Sequence, residues 1–387
     1  MVRHPALSPR LAGLGTSIFA EMSALATATG AINLGQGFPD EDGPTEVTDA
    51  AVAAIRAGQN QYPPGPGVEA LRRAICEHQQ RFWGLTFDPE TEVLVTTGAT
   101  EAIAAAVLAL CDPGDEVLAF EPTFDSYPAV AALAGARLRP VTLRPPAYQA
   151  DVHALAALVT DRTRAVLLNT PHNPTGKVFT AEELRAIAEL CVERDLIAVT
   201  DEVYEHLVFD GTHQPLATFP GMAERTLTIS SAGKTFSVTG WKVGWVCGPQ
   251  ELVAAVRTAK QFLTYVSGAP FQPAVAVGLG LGDDFYAALA SGLRVKRDLL
   301  CDGLRSAGFE VFVPQGTYFA TVDIRPVGGS DGLEFCRSLP ERCGVVAVPS
   351  SVFYEDPADG RHLVRFAFCK RTEVLTEAAE RLASLST

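Results

Sequence analysis

The sequence lacks the features that mark membrane and nucleic-acid-binding proteins. No stretch approaches the roughly 18 uninterrupted apolar residues of a spanning helix, and residues 1–21 contain no continuous apolar segment of a signal peptide. Aspartate and glutamate (45) outnumber lysine and arginine (31), giving a net charge of −14. Because phosphate binding needs a basic face, this charge argues against nucleic acid as the main partner. We expect neither a membrane nor a nucleic-acid partner.

Paired metal-ligand motifs are also missing. The eight cysteines form no C-x-x-C pair and the seven histidines no H-x-x-x-H pair. Disulfides and a zinc site are therefore not expected, and reduced thiols are typical of the cytoplasm. The sequence predicts a cytoplasmic protein without a bound metal.

Short apolar strands alternate with helices through the first two thirds of the chain. This pattern is typical of an α/β fold with a mostly parallel sheet covered by helices on both faces. The predicted strands are Val93–Thr96, Glu116–Phe120, Ala165–Leu168, Leu196–Thr200, Thr226–Ser230 and Lys242–Cys247. The predicted helices are Glu46–Ala57, Val68–Trp83, Thr100–Leu110, Tyr127–Ala134 and Ala181–Arg194.

The pattern changes near residue 283. A long amphipathic helix, Asp284–Ala307 with a possible break, leads into strands around 310–313, 317–323, 345–348 and 363–368. We expect a large domain at 45–283 and a smaller α+β domain from 284–387, which the N-terminal arm at 1–44 joins.

A lysine lies in a loop of small residues, Ser230-Ser231-Ala232-Gly233-Lys234. A hydroxyl precedes it by three residues at Ser231, and Lys242 follows by eight. An amine that loses its proton at a cation-rich site can attack an aldehyde, and the second cation can hold a phosphate. The motif points to a covalently held pyridoxal phosphate. Gly233-Lys234-Thr235 is not a P-loop, because Thr228 stands where the first glycine is required.

A carboxylate and a phenol follow the strand that ends at Thr200. Asp201 is placed to pair with a pyridinium nitrogen, and Tyr204 to donate to the ring oxygen of such a cofactor. Taken alone, an aspartate here also suits a cap and a tyrosine a packed aromatic.

Two further loops carry candidate residues. Gly98-Ala99-Thr100 begins a helix whose free N–H groups suit an anion, although an ordinary N-cap fits equally. Asn169-Thr170-Pro171-His172-Asn173-Pro174 is a double-proline turn, a plausible place for cis bonds, and it presents Asn173 rigidly.

Arg365 lies among apolar residues in the last predicted strand, where a buried cation needs an anionic partner. A substrate carboxylate or an internal ion pair would serve. Phe124 is placed to stack on a cofactor ring or to pack in the core.

The order of these motifs makes the chain similar to the fold type I, class I/II aminotransferases that depend on pyridoxal phosphate. The resemblance runs from Asn33 to Lys370. It is strongest to the kynurenine and methionine aminotransferase branch and to N-succinyldiaminopimelate aminotransferases of actinobacteria. The fold it implies is a large domain with a mostly parallel sheet and a smaller α+β domain.

The resemblance implies a role for each site residue. Lys234 forms the Schiff base, Asp201 pairs with the ring nitrogen, and Asn173 and Tyr204 bond the ring hydroxyl. Arg365 holds the substrate carboxylate. The remaining roles are phosphate binding by Gly98, Ala99, Thr100, Ser231, Lys242 and the Tyr62 of a second subunit, stacking by Phe124, and substrate contacts by Phe19, Gly37 and Asn173. Phe19 stands where the kynurenine branch has a tryptophan, and Lys242 where many class I enzymes have an arginine.

The implied reaction moves an amino group from an L-amino acid to a 2-oxo acid by a ping-pong mechanism in a homodimer. N-succinyldiaminopimelate, methionine, aromatic and specialised-metabolite substrates all remain open. A cysteine-conjugate β-lyase would use the same residues. A pyridoxal-phosphate-sensing transcription regulator would need a DNA-binding domain before Asn33, where the sequence is short and not basic.

Overall fold

The computed structural model describes residues 8–11 and 17–386. The predicted N-terminal arm therefore lies partly outside the described residues. The division into domains at 45–283 and at 1–44 with 284–387 stays a prediction.

In the part of the chain that the structure describes, thirteen strands build three sheets. Their bounds are β1 (Ile32–Asn33), β2 (Val93–Thr96), β3 (Glu116–Glu121), β4 (Arg137–Thr142), β5 (Thr163–Asn169), β6 (Ile197–Asp201), β7 (Thr226–Ser231), β8 (Gly244–Cys247), β9 (Glu310–Phe312), β10 (Phe319–Asp323), β11 (Val345–Val346), β12 (Val348–Pro349) and β13 (Leu363–Ala367).

Thirteen α-helices of the described residues accompany them. Their bounds are α1 (Ile18–Thr29), α2 (Thr45–Arg56), α3 (Glu69–Trp83), α4 (Gly98–Leu110), α5 (Ser126–Ala134), α6 (Val152–Ala157), α7 (Ala181–Glu193), α8 (Ala232–Thr235), α9 (Gln250–Lys260), α10 (Phe271–Leu279), α11 (Asp283–Ser306), α12 (Gly332–Cys343) and α13 (Thr372–Ala383).

The large sheet has seven strands in the order β2-β8-β7-β6-β5-β3-β4. Strand β8 is antiparallel to both neighbours, and the other pairs are parallel. Alternate residues of the central strands enter different hydrophobic clusters: Leu167 packs with α4, α5 and α9, whereas Leu168 packs with α6 and α7. Both faces of the sheet are thus covered by helices, which confirms the predicted α/β class and explains the continuous apolar runs.

A second region has a four-stranded antiparallel sheet, β12-β13-β10-β9, and a two-stranded parallel sheet, β1-β11. Its hydrophobic cluster contains Met22 and Leu34 as well as residues of α11, α12 and α13. Val203 and Tyr204, which follow β6 of the large sheet, belong to the same cluster. This contact places the end of β6 where the two sheets meet.

The predicted strands and helices agree with the structure to within a few residues. The structure also contains elements that the sequence pattern did not predict: β1, β4, α1, α6, α8, α9, α10, α12 and α13. Strand β4 is absent from the prediction because it is a partly exposed edge strand with Pro140 at its centre, so its sequence lacks an apolar run. Helix α11 is continuous over 24 residues, without the possible break. The peptide bonds before Pro171 and Pro174 are both cis, as the double-proline turn predicts.

The eight cysteines are all unpaired thiols. Among the described residues, none of the helices combines the length and apolar character needed to cross a lipid bilayer.

Candidate active site

The carboxyl ends of β5, β6 and β7 open into one cavity of about 310 Å³. Ligands of parallel sheets bind at this edge, where the strands end and their loops diverge. Every predicted site residue except Tyr62 lines it: Phe19, Gly37, Gly98, Ala99, Thr100, Phe124, Asn173, Asp201, Tyr204, Ser231, Lys234, Lys242 and Arg365.

Lys234 lies in α8, the short helix directly after β7. Its Nζ donates to the carbonyl of Gly37 at 3.5 Å and lies 5.8 Å from the ring centre of Tyr204. Burial lowers its pKa to about 8, and the nearby cations Arg365 and Lys242 contribute in the same direction. A fraction of the amine is therefore uncharged near neutral pH, as nucleophilic and basic chemistry requires.

Asp201 ends β6 and is buried. Its Oδ2 accepts a hydrogen bond from the hydroxyl of Tyr127 at 2.7 Å, and its Oδ1 lies 3.4 Å from the Val203 amide. Burial raises the pKa of Asp201 to about 6, while the Tyr127 hydrogen bond works against that rise. A carboxylate in this state is well suited to a cationic partner inside the cavity.

Tyr127 also lines the cavity, although no sequence motif assigns it a role there. Its sequence environment, at the start of α5, is that of a packed aromatic residue. The contact joins residues 74 positions apart, on α5 and β6. Only the tertiary structure brings the two side chains together.

The first turn of α4 forms the anion-binding end of the cavity. Gly98 has φ of 73°, and a Cβ there would lie 3.2 Å from the Nζ of Lys242. The N-cap residue Thr97 makes no side-chain capping bond, and Gly98, Ala99, Thr100 and Lys242 all line the cavity. A helix start beside a cation suits a phosphate.

Arg365 lies in β13 and is 1% exposed. One terminal nitrogen donates to Asn173 Oδ1 at 3.1 Å and the other to the Gly35 carbonyl at 3.0 Å. The ring of Phe319 lies 3.9 Å from the guanidinium carbon, and the Nε atom is buried without a hydrogen-bond partner. Burial lowers the pKa of Arg365 to about 10.

No salt bridge to Arg365 occurs among the described residues. Among the described residues, the alternative of an internal ion pair therefore has no support at salt-bridge distance, although the charge of Asp125 acts on Arg365 from farther away. A buried guanidinium with an unpartnered nitrogen is costly unless a ligand carboxylate completes its hydrogen bonds.

Asn173 and Tyr204 occupy neighbouring walls. The backbone N–H of Asn173 donates to Asn169 Oδ1 at 2.6 Å, and the side-chain Nδ2 of Asn169 donates to the backbone carbonyl of Asp201 at 2.9 Å. The turn that carries Asn173 is thereby fixed to the end of β6. Tyr204 packs edge-on against Tyr318, whose ring centre is 5.3 Å away.

Tyr62 lies outside this cavity. Its side chain is 81% exposed and its ring centre is 5.6 Å from that of Tyr265, which is itself 51% exposed. We call the exposed rings of Tyr62, Tyr265 and Phe262, which precedes Tyr265 by three residues, the aromatic patch.

The cavity has further walls that the sequence analysis does not assign. They include Gln36, Phe38, Ile103, Asn169, Thr239 and Phe319. Asn169 lies inside the quoted double-proline motif, so its position beside Asn173 was a usable signal. Gln36 and Phe38 flank Gly37, and Thr239 lies between Lys234 and Lys242, so these walls also had a signal in their sequence neighbours. Phe319 comes from a separate segment that no motif marks.

Comparisons with known proteins agree with this geometry. The sequence profile of the family described as Aminotransferase class I and II matches residues 29–382. A probable N-succinyldiaminopimelate aminotransferase of Mycobacterium tuberculosis is 58% identical over 97% of this chain and 98% of its own. A methionine aminotransferase of Escherichia coli is 41% identical over the full length of both chains.

Solved structures give the same result. The N-succinyldiaminopimelate aminotransferase structure from Mycobacterium tuberculosis has a TM-score of 0.96, covering 98% of this chain and 100% of that one at 58% identity. The Escherichia coli methionine aminotransferase structure has a TM-score of 0.94, with 98% and 100% covered at 41% identity.

These matches define the class of the protein, a transferase that moves amino groups. The chain belongs to the class I and II aminotransferase family, and it is an aminotransferase. The predicted resemblance is confirmed, and the matched relatives do not favour the β-lyase alternative.

Proposed function

We propose that this aminotransferase uses pyridoxal 5′-phosphate, bound covalently through Lys234, to move an amino group from an L-amino acid to a 2-oxo acid. The main support for this proposal is that Lys234, Asp201 and Arg365, whose Nε has no hydrogen-bond partner, line one cavity. When bound, the cofactor supplies an electron-withdrawing ring that stabilises negative charge at the substrate Cα.

The donor and acceptor groups of the cavity fit this cofactor. The start of α4 with Ser231 and Lys242 supports a phosphate at one end. Asp201, held by Tyr127, supports a protonated ring nitrogen at the other. Asn173 and Tyr204 would bond the ring hydroxyl between these ends, and Phe124 would stack on the ring.

Two side chains of this chain would act on the amino acid. Arg365, with Asn173 and the Gly37 backbone assisting, would hold the α-carboxylate in a fixed orientation. Lys234 Nζ would take the proton from Cα, since its lowered pKa leaves a neutral amine available. Because the amino donor leaves as a 2-oxo acid before the acceptor 2-oxo acid enters, the kinetics should be ping-pong.

N-succinyldiaminopimelate is our first candidate substrate, because the relative of that name is 58% identical over nearly the whole chain. Methionine and aromatic amino acids are the second candidates. The phenylalanines Phe19, Phe38 and Phe319 on the cavity wall support an apolar side chain, and the 41% identical relative is a methionine aminotransferase.

The active form we propose is a homodimer in the cytoplasm. The exposed aromatic patch would be covered by the second copy, and Tyr62 would reach the cofactor phosphate of the partner. Unpaired cysteines support a reducing compartment.

Borohydride reduction tests the cofactor assignment. Reduction of the holoenzyme followed by peptide mapping should place the phosphopyridoxyl group on Lys234. Lys234→Ala should lose the adduct, the visible absorption band and at least about 10³-fold in turnover. An adduct on another lysine, with turnover retained in Lys234→Ala, would contradict the proposal.

A panel of amino donors and 2-oxo acid acceptors tests the substrate. Preference for N-succinyldiaminopimelate or for methionine and aromatic donors is read from kcat/KM for the 2-oxo acid formed. Pyruvate and free thiol released from a cysteine conjugate, without any acceptor, would instead indicate the β-lyase.

A further inference from the structure

A second cavity also reaches Lys234. It has a volume of about 160 Å³, and we call it the side cavity. Lys234 is the one residue shared by its walls and those of the larger cavity. The other walls are Pro39, Glu41, Ser237, Ala288, Leu289, Gly292, Leu293, Lys296, Tyr318 and Cys369.

The walls change character along its length. At the inner end Tyr318 and Cys369 are buried, and the Tyr318 hydroxyl donates at 2.5 Å to the Gly37 carbonyl, which also accepts from Lys234 Nζ. At the outer end Glu41 and Lys296 form an ion pair of 2.5 Å, with the Glu41 side chain half exposed. Polar groups therefore stand at both ends of a passage between solvent and the amine.

The passage is wide enough for water. One water occupies about 30 Å³, so the side cavity has room for a short chain of them. One wall is the exposed face of α11 at Ala288 and Gly292, where no atom lies within 4 Å of a Cβ built on Gly292.

We propose that the side cavity is the route by which water and protons reach Lys234 while cofactor and substrate fill the larger cavity. The ammonium form of Lys234 gives a proton to water in the side cavity, and the proton leaves to bulk solvent beside Glu41 and Lys296. The amine can thus exchange protons without release of the substrate. This inference rests on the proposed function in one respect: it takes the larger cavity to be filled by cofactor and substrate.

Chemical labelling distinguishes access to Lys234 through the side cavity from access through the larger cavity. N-(5′-phosphopyridoxyl)-L-methionine would fill the larger cavity without reacting with Lys234, and its binding to the cofactor-free chain is measured by fluorescence titration. Cyanate, as isocyanic acid, then adds to the neutral amine to give a carbamoyl-lysine. Mass spectrometry follows Lys234 labelling at pH 8 with and without the adduct.

We expect the chain saturated with the phosphopyridoxyl-methionine adduct to keep at least about a third of the Lys234 labelling rate of the adduct-free chain. Gly292→Leu narrows the side cavity and also improves helix propensity by about 0.8 kcal/mol, so it should fold. It should slow labelling in the saturated chain about fivefold or more. Ala288→Leu is a second narrowing variant, and Ala287→Leu, exposed on the same helix outside the side cavity, should match the native chain.

Loss of Lys234 labelling on adduct binding in the native chain would overturn the proposal. Equal labelling in Gly292→Leu, Ala288→Leu and Ala287→Leu would do the same. Failure of the adduct to bind at all would instead count against the proposed cofactor and substrate sites, and the titration detects this separately.

Isotope exchange tests the proton itself. In the half-reaction with an α-deuterated amino acid, Gly292→Leu should retain more deuterium in the pyridoxamine product, about twofold or more, because its exchange with solvent is slower. Unchanged retention, with Ala287→Leu as control, would contradict a proton route through the side cavity.

Discussion

The pKa values of single residues in the cavity depend on their surroundings as well as on their own side-chain chemistry. Burial moves the pKa of Lys234 down and that of Asp201 up, so the two values come to about 8 and about 6. An acid and a base on neighbouring strand ends, each near its neutral-pH transition, are typical of catalytic sites.

Tyr127→Phe should shift the activity profile toward higher pH. The Tyr127 hydroxyl stabilises the charged form of Asp201, so its removal raises the pKa of that carboxyl further. Asp201 is then more protonated at neutral pH, and kcat/KM at pH 7 should fall about tenfold, consistent with ~1.5–3 kcal/mol for a hydrogen bond to a charged group. The pH dependence of kcat/KM and of the cofactor absorption band measures the effect.

Tyr286→Phe is the matched control for Tyr127→Phe. Its hydroxyl contacts the backbone carbonyls of Gly278 and Leu279, away from the cavity. Tyr286→Phe should lower the free energy of unfolding, but it should leave the acidic side of the pH profile of kcat/KM where it is in the native chain. A Tyr127→Phe profile identical to the native one would show that Asp201 does not depend on Tyr127.

Arg365→Lys should separate substrate binding from cofactor binding. An ammonium group cannot replace the planar fork that Asn173 and Gly35 orient. We expect KM for the amino donor to rise about 100-fold, while the dissociation constant of the cofactor changes less than about threefold. Cofactor titration and steady-state kinetics on the same preparation give the two numbers, and equal losses in both would contradict the assigned role.

At the scale of elements, the segment after β6 is held by a buried polar network. The Glu205 carboxylate accepts from Trp83 Nε1 of α3 and from the Ser230 hydroxyl of β7, both at 2.6 Å. His78 and His206 contact each other through their Nε2 atoms at 2.7 Å. The network joins α3, β6 and β7 behind the strand end that carries Asp201.

This network makes stability depend on pH in a predictable direction. Burial raises the pKa of Glu205 to about 7, above its ordinary value of 4.5. The folded chain holds that proton more tightly than the unfolded chain, so the contribution is full below pH 4.5 and is lost as pH rises through 7. Glu205→Gln removes this loss.

Relative to the native chain, Glu205→Gln should therefore gain stability between pH 5 and pH 8, by about 2 kcal/mol. Urea unfolding at several pH values measures it. Burial lowers the pKa values of His78 and His206, so these histidines change the free energy of unfolding with pH in the opposite direction. Both proteins contain them, so their contribution cancels when the variant is compared with the native chain. Glu69→Gln, exposed in the first turn of α3, should give no such trend.

At the scale of the whole molecule, the aromatic patch carries the proposed subunit contact. Phe262 is 83% exposed, and a charge there would oppose burial of an apolar surface. Phe262→Asp should convert a dimer into a monomer in sedimentation velocity and weaken cofactor binding about tenfold, because Tyr62 of the partner is lost. Val295→Asp, at an exposed valine of α11, should stay dimeric.

Tyr62→Phe refines that test. It keeps the ring of the aromatic patch and removes only the hydroxyl, so the variant should remain a dimer while cofactor affinity falls. A monomeric native protein with full cofactor affinity would contradict the proposed arrangement.

The sequence by itself determined the α/β class and pointed to most of the residues that we propose for the site. Apolar strand runs, the loop of Lys234 and the position of Asp201 after a strand are local features, and the carboxyl ends of parallel strands must meet at one edge. Arg365 was also visible, because a cation among apolar residues needs a partner.

Only the tertiary structure decided which groups touch those residues. The Tyr127 contact with Asp201, the unsatisfied Nε of Arg365, the phenylalanine walls and the side cavity join segments far apart in the chain. Edge strand β4 and the His78–His206 contact also depend on packing. Such contacts leave no periodic or short-range trace in the sequence, because they are fixed by how helices and sheets pack together.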